Sequence, residues 1–457
     1  MAKKTVSAPA APAPANRPPY MLIEEIRVQG YKSLVDATLH VRPLTLLAGT
    51  NSSGKSSIMQ PLLLIKQTME ANYNPAGALV LNGAHVQAET AVELVSKVNV
   101  NNYFSVRIEG NNMYPGFPDD FVVNPYTYLE LKYETEKSNF KLVLQKSIYN
   151  NVNEFKLTVP DSWHVLNPNT LSGDELQGKA RYSNGFLELD LINSSGKSQG
   201  QISHSMTLET AISTFYHIPG LRTNPKRSYF ATAFQDQIKG TFDLYAAGTV
   251  SQWQEQQDTE KLAKLNDYLR RLGLTDSVTA KVKNANEVEL SVSRLPAGTK
   301  GKPRKADMVN IADVGIGVSQ VLPILVALIA AQEGQLVYVE QPELHLHPRA
   351  QVAMAELLAE AANRGVRVIV ETHSSLLLLT VQTLVAEAKI KPEDVALHWF
   401  SRDAKGATTV RHEQPDENGA YGNWPEDFGD VEMTAQRAYL DAVTKRRPKQ
   451  QAKPIDA

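Results

Sequence analysis

Gly49-Thr50-Asn51-Ser52-Ser53-Gly54-Lys55-Ser56 matches GxxxxGKS, the pattern of a phosphate-binding loop. The flanking residues supply the context that the pattern needs. Residues 44–48, Leu-Thr-Leu-Leu-Ala, read as a buried strand. Residues 56–70 read as a helix with an apolar run at Leu62, Leu63, Leu64 and Ile65. Between a strand and a helix, the loop's backbone N–H groups can wrap nucleotide phosphates at the positive end of the helix. Lys55 can reach the β- and γ-phosphates, and the Ser56 hydroxyl can ligate Mg²⁺. Asn51, Ser52, Ser53 and Ser57 complete the candidate phosphate-contacting set. The stretch implies a nucleoside triphosphate site in an α/β fold.

The bulk numbers are those of an ordinary soluble globular chain: 457 residues, 42% hydrophobic and 21% charged. That length suits about two or three domains. A net charge of -2 gives no global basic field to attract nucleic acid, so such binding needs a local patch. The absence of cysteine excludes disulfides and thiolate metal sites and accords with a reducing cytoplasm. The longest apolar stretch, residues 321–331, is too short to span a bilayer. Residues 1–19 are rich in Ala, Pro and Lys, lack the apolar middle of a signal peptide, and read as a disordered leader.

Five segments are expected after the leader. Residues 20–100 form the first part of the nucleotide-binding head, with strands at 22–28, 36–41 and 44–48 arranged as a small meander. Residues 101–309 read as an insertion: antiparallel strands first, as in 126–133 and 140–144, then helices over 252–272 and a hairpin over 281–294. The second part of the head spans 310–390. A strand pair (395–402 and 408–412) and a Trp-Pro element around Trp424 follow over 391–440, and 441–457 is a basic tail. Lys300, Lys302, Arg304 and Lys305, with Lys445, Arg446, Arg447 and Lys449, read as solvated segments that can also contact nucleic-acid phosphates.

The second half of the site starts at Gly315-Ile316-Gly317-Val318-Ser319-Gln320. Glycines and a serine at a helix start make an anion-binding turn, or a plain glycine turn with Ser319 as N-cap. Residues 335–339 then read as a buried strand that ends in Glu340, where α/β folds place ligand-binding groups. Glu340 can hold Mg²⁺ directly or through water, and Glu343 can orient or deprotonate a water. His345 and His347, two apart with no third ligand nearby, read as turn caps or a subunit contact rather than a metal site. Residues 366–371 form another buried strand with an acidic end, and His373 just beyond it can hydrogen-bond a γ-phosphate or the attacking water.

Together these segments resemble the ATP-binding-cassette head of the SMC, RecF and OLD-like ATPases, over about 21–95 and 310–382. The resemblance rests on Ile26-Arg-Val-Gln-Gly-Tyr-Lys-Ser-Leu34, the loop Asn51–Ser56, Gln341-Pro342-Glu343 with Leu346-His347-Pro348, and Thr372-His373-Ser374. It implies ATP and Mg²⁺ as ligands, ATPase activity, and two heads sandwiching two ATPs, as a homodimer or a higher oligomer. Gly317, Ser319 and Gln320 would then contact ATP across the dimer, and Gln87 would be the Q-loop glutamine that senses Mg²⁺. Stand-alone bacterial members of this clade act beside a partner, several in phage defence, which implies a protein effector. The sequence departs from the pattern at Glu340-Gln341, where many relatives carry Asp-Glu. Gln341 cannot take a proton, so hydrolysis should be slow. Glu343 or His373 compensates, or the glutamine is a substitution that traps ATP. Glu393, Asp394 and Asp403 lack the glycine-rich strand context of a Toprim nuclease.

Overall fold

A computed structural model of the chain describes residues 18–71, 79–98, 103–114, 126–134, 139–148, 151–159, 177–183, 186–192, 198–202, 206–231, 239–294, 307–422, 434 and 437–442. Residues 1–17 of the leader, the basic loop at 300–305, residues 443–457 of the tail and Trp424 lie outside these residues. In chain order the elements begin β1 (Tyr20–Tyr31), β2 (Leu34–His40), β3 (Leu44–Gly49) and α1 (Lys55–Glu70). Seven strands follow: β4 (Tyr103–Met113), β5 (Tyr126–Glu134), β6 (Asn139–Ile148), β7 (Asn151–Val159), β8 (Gln177–Ser183), β9 (Phe186–Ile192) and β10 (Ser198–Ile202). Next come α2 (Met206–Ser213), β11 (Tyr216–Ile218), β12 (Tyr229–Phe230), α3 (Ala246–Glu255), α4 (Thr259–Arg271), β13 (Val278–Asn284), β14 (Glu287–Ser293) and β15 (Met308–Asn310). The rest is α5 (Ile316–Ala330), β16 (Leu336–Glu340), α6 (Pro348–Asn363), β17 (Arg367–Glu371), α7 (Ser375–Ala386), β18 (Val395–Arg402) and β19 (Thr408–Glu413).

The expected α/β class is what the strands and helices make. The central sheet runs β11-β16-β17-β3-β18-β19, and all its pairings are parallel except the last. A second, antiparallel sheet runs β2-β1-β4-β5-β6-β7. The expected meander of the first three strands does not form. β1 and β2 pair, but β3 leaves them to lie between β17 and β18. The physical reason is in the residues: every residue of β3 is buried, as a strand covered on both faces requires, whereas β2 alternates buried and open positions. Strands from the segment between the two halves of the head join both sheets, since β4 pairs with β1 and β11 with β16.

Alternate residues of the central strands feed two cores. Leu44, Leu46, Val337, Val339, Val368 and Val370 pack on one side with α3, α5 and α6. Leu47, Leu336, Tyr338, Ile369 and Phe400 pack on the other with α1, β1 and β4. This is the period-two consequence of the pleat. It leaves the carboxyl ends of β3, β16 and β17 side by side, with Glu340 directly opposite Glu371. Among the described residues, no helix is long and apolar enough to cross a membrane.

Candidate functional site

The phosphate loop leaves the carboxyl end of β3 and enters α1. Its two outer glycines have φ of 144° at Gly49 and 101° at Gly54, a region that L side chains rarely adopt. A Cβ on Gly54 would also lie 2.6 Å from Thr408 Oγ1. That hydroxyl braces the loop from outside, donating to the Ser53 carbonyl at 2.7 Å and lying 2.8 Å from Ser33 Oγ. Inside the loop, Lys55 Nζ donates to the carbonyls of Gly49 (3.1 Å) and Thr50 (2.7 Å). Burial lowers the Lys55 pKa, against the pull of Glu371 and Glu343. Asn51 and Ser52 are exposed, Ser53 is buried, and Ser57 is half-buried on α1.

The carboxyl facing Ser56 is not the one the sequence singled out. Ser56 Oγ donates to Glu371 Oε1 at 2.9 Å, and the buried Tyr338 hydroxyl donates to Oε2 at 3.0 Å. Burial, and then the neighbouring Glu340, raise the Glu371 pKa. Glu340 is held by other groups. Its Oε1 lies 3.1 Å from His217 Nε2, and its Oε2 accepts from the Gly220 N–H at 3.0 Å. Burial pushes its pKa up, but His217, the Gly220 N–H and Arg222 together bring it below the usual range. Behind it a polar chain continues. His217 Nδ1 lies 2.9 Å from His85 Nδ1, so one ring donates to the other, and His85 Nε2 meets Glu70 at 3.1 Å.

Gln341 and Glu343 occupy the turn after β16. Gln341 adopts φ 45° and donates its N–H to the Glu371 carbonyl. Glu343 Oε1 accepts the His373 N–H at 2.7 Å, while its Oε2 is buried with no hydrogen-bond partner. Burial raises the Glu343 pKa, outweighing the His373 N–H, Thr372 and Arg222. His373 is half-buried, and burial and Lys55 lower its pKa, which favours the neutral ring. Lys55, Ser56, Glu343, Glu371 and His373 therefore share one corner of the fold.

The remaining expected residues sit elsewhere. Gln87 is exposed and its backbone bridges to Asn82; no described hydrogen bond links its side chain to the loop. Gly315, not Ser319, caps α5, because the helix begins at Ile316. Ser319 and Gln320 are buried, donating inward to the carbonyls of Ile316 (2.8 Å) and Thr223 (3.2 Å). Gly315 and Ile316 are the exposed residues of that turn, and Gly317 is half-buried. His347 caps α6 by accepting the Arg349 N–H.

Glu371, Tyr338, His217, Arg222 and Thr408 were not singled out by the sequence reading. Glu371 had a signal of the same kind as Glu340, an acid ending a buried strand. Tyr338 lies in the strand that ends in Glu340 but reads there only as a core residue, and His217, Arg222 and Thr408 come from distant segments and carry no signal.

The donor set suits a magnesium nucleotide. The Ser56 hydroxyl and Glu371 carboxyl are hard oxygen donors already in contact, and the Lys55 ammonium lies at the loop, on the carbonyls of Gly49 and Thr50. The unpartnered Glu343 Oε2 is a free acceptor for a water.

Among solved structures, the chain is similar to an SMC head bound to the C-winged helix domain of ScpA: 13% identity over 86% of this chain and 97% of that one, TM-score 0.47. It is similar to the Pyrococcus furiosus Smc head with an extended coiled coil, bound to the C-terminal domain of ScpA (12%, 93% and 100%, TM-score 0.47). It is also similar to the SMC head domain from Thermotoga maritima (10%, 85% and 98%, TM-score 0.37). No curated protein sequence matches the chain. The model of the AAA ATPase domain matches residues 21–378. The chain belongs to the AAA ATPase domain family.

Proposed function

We propose that this chain binds ATP with Mg²⁺ and hydrolyses it slowly, and that two chains close on the nucleotide to gate a protein effector. The observation that carries the catalytic part is the Ser56–Glu371 contact beside Lys55 at the foot of the phosphate loop. Ser56 and Glu371 would hold the metal, with Glu340 behind them. Mg²⁺, when bound there, neutralises charge on the β- and γ-phosphate oxygens. Glu343 is the base: its Oε2 is unengaged, and its raised pKa brings its basicity closer to neutrality. Neutral His373 orients the attacked phosphate or the water. Glu340 serves as a fixed anion, since His217 and Gly220 occupy both its oxygens.

The exposed turn at Gly315 and Ile316, at the positive end of a 15-residue helix, is the surface through which a second chain would reach the nucleotide. The resemblance to stand-alone ATPases that act beside a partner, several in phage defence, extends the proposal to an effector. The test is Mg²⁺-dependent phosphate release from ATP, abolished by Lys55→Ala, with mass measured with and without nucleotide. A chain that releases no phosphate and binds no ATP refutes it. Gln341 favours a second reading, in which ATP holds an assembly together with almost no turnover. Steady-state release of many phosphates per chain excludes that reading.

A further inference from the structure

β11 lies beside β16 in the central sheet, and it and the segment that follows it contact the end of β16. His217 and the Gly220 N–H take the two carboxylate oxygens of Glu340. Arg222, 7% exposed, places one nitrogen, Nη2, on two successive carbonyls: Glu340 O at 2.7 Å and Gln341 O at 3.3 Å. Those carbonyls flank the point where Gln341 turns into the left-handed region. A non-glycine residue there is strained, and keeps that conformation only where its surroundings impose it. Burying a guanidinium is expensive, and an apolar residue would fill the volume more cheaply. It could not donate to two carbonyls.

The next residue leads to α5. Thr223 O accepts from Gln320 Nε2 at 3.2 Å, and Gln320 is 2% exposed. Arg222 and Thr223 also line a small cavity together with Ser319, Leu322 and Pro323 of the same helix. A displacement of the first turns of α5 therefore reaches the Glu340–Gln341 corner through two adjacent residues.

We propose that Arg222 is a positioning residue for the Glu340–Gln341 corner and, through Thr223 and Gln320, ties the first turns of α5 to it. The inference rests on the ATPase reading above and adds to it the route by which α5 sets the geometry of hydrolysis. Arg222 acts through the turn that carries Glu343.

The test uses the full chain with Arg222→Lys, Gln320→Ala and the double variant. Three quantities are measured: affinity for a fluorescent ATP analogue, kcat and KM for phosphate release, and thermal unfolding. Arg222→Lys is expected to lower kcat by about tenfold or more while analogue affinity stays within about threefold, since positioning acts on the transition state. Gln320→Ala is expected to lower kcat several-fold. The double variant is expected to be no slower than Arg222→Lys alone, because the two lie on one path. An Arg222→Lys chain that turns over like the original overturns the inference. So does one that raises KM at constant kcat, which is the mark of direct nucleotide contact, and so does a double variant whose effects multiply. If Arg222→Lys does not fold, Gln320→Ala decides, since it removes one bond to a backbone carbonyl; unchanged kcat overturns the coupling. An unaltered chain without ATP binding or hydrolysis refutes the ATPase reading and this inference with it, whereas an active chain indifferent to both changes refutes the inference alone.

Discussion

Glu343→Gln asks which carboxyl takes the proton of the attacking water. The amide oxygen can keep the bond from the His373 N–H that Glu343 Oε1 accepts at 2.7 Å, so the turn after β16 keeps its shape. The other oxygen, buried and unpartnered, becomes an NH₂ group. An unpaired buried donor costs about 1–3 kcal/mol. Part of that is recovered, because an amide is easier to bury than an ionised carboxyl. The fold and the ATP affinity should therefore change little. The rate should not: losing a general base typically slows a reaction by about 10²–10⁴, or roughly 3–5 kcal/mol of barrier. The assay is steady-state phosphate release against pH, paired with ATP affinity and a thermal melt. A base works deprotonated, so kcat of the unaltered chain should rise with pH through a midpoint above the range of an ordinary glutamate, and the variant should lose that limb. Retention of a third or more of the turnover with the limb intact refutes this role. A large loss on Glu340→Gln alone would move the base there.

Tyr338→Phe removes the buried hydroxyl from Glu371 Oε2; apparent Mg²⁺ affinity in phosphate release should weaken severalfold, and an unchanged Mg²⁺ titration rejects the link. Gly54→Ala must move a backbone at φ 101° and a carbon pressed against Thr408 Oγ1, so nucleotide binding should be lost, as read by analogue fluorescence. His398 is fully buried with Nε2 on the His40 carbonyl, and burial pushes its pKa down to about 3. Below pH of about 6.5 the unfolded chain takes a proton that the fold refuses, so stability should fall by up to about 1.4 kcal/mol per pH unit down to pH of about 3. Urea unfolding at pH 7 and 5 should show this slope, and His398→Gln should flatten it.

Local order in the chain made much of the fold legible. The phosphate loop, its strand and its helix are contiguous, so GxxxxGKS with apolar flanks locates β3 and α1 to within a residue at the strand's end and at the helix's start. The strands ending in Glu340 and Glu371 were readable as continuous apolar runs closed by an acid. What the residues could not declare was adjacency. Nothing near Leu44 says that β3 leaves β2 to lie between β17 and β18.

The sequence by itself determined that GxxxxGKS lies between a buried strand and a helix, and that two further strands end in acids, one with a histidine just beyond it. Those assignments rest on backbone geometry and side-chain chemistry within a few residues. Only the tertiary structure decided which acid meets Ser56, that His217 and Gly220 occupy Glu340, and that Gln320 faces inward. These follow from parallel pairing, which sets Glu340 beside Glu371 and brings β11 in from more than a hundred residues away. Such register is fixed by burying both faces of the sheet at once, a global condition that no local stretch of residues can express.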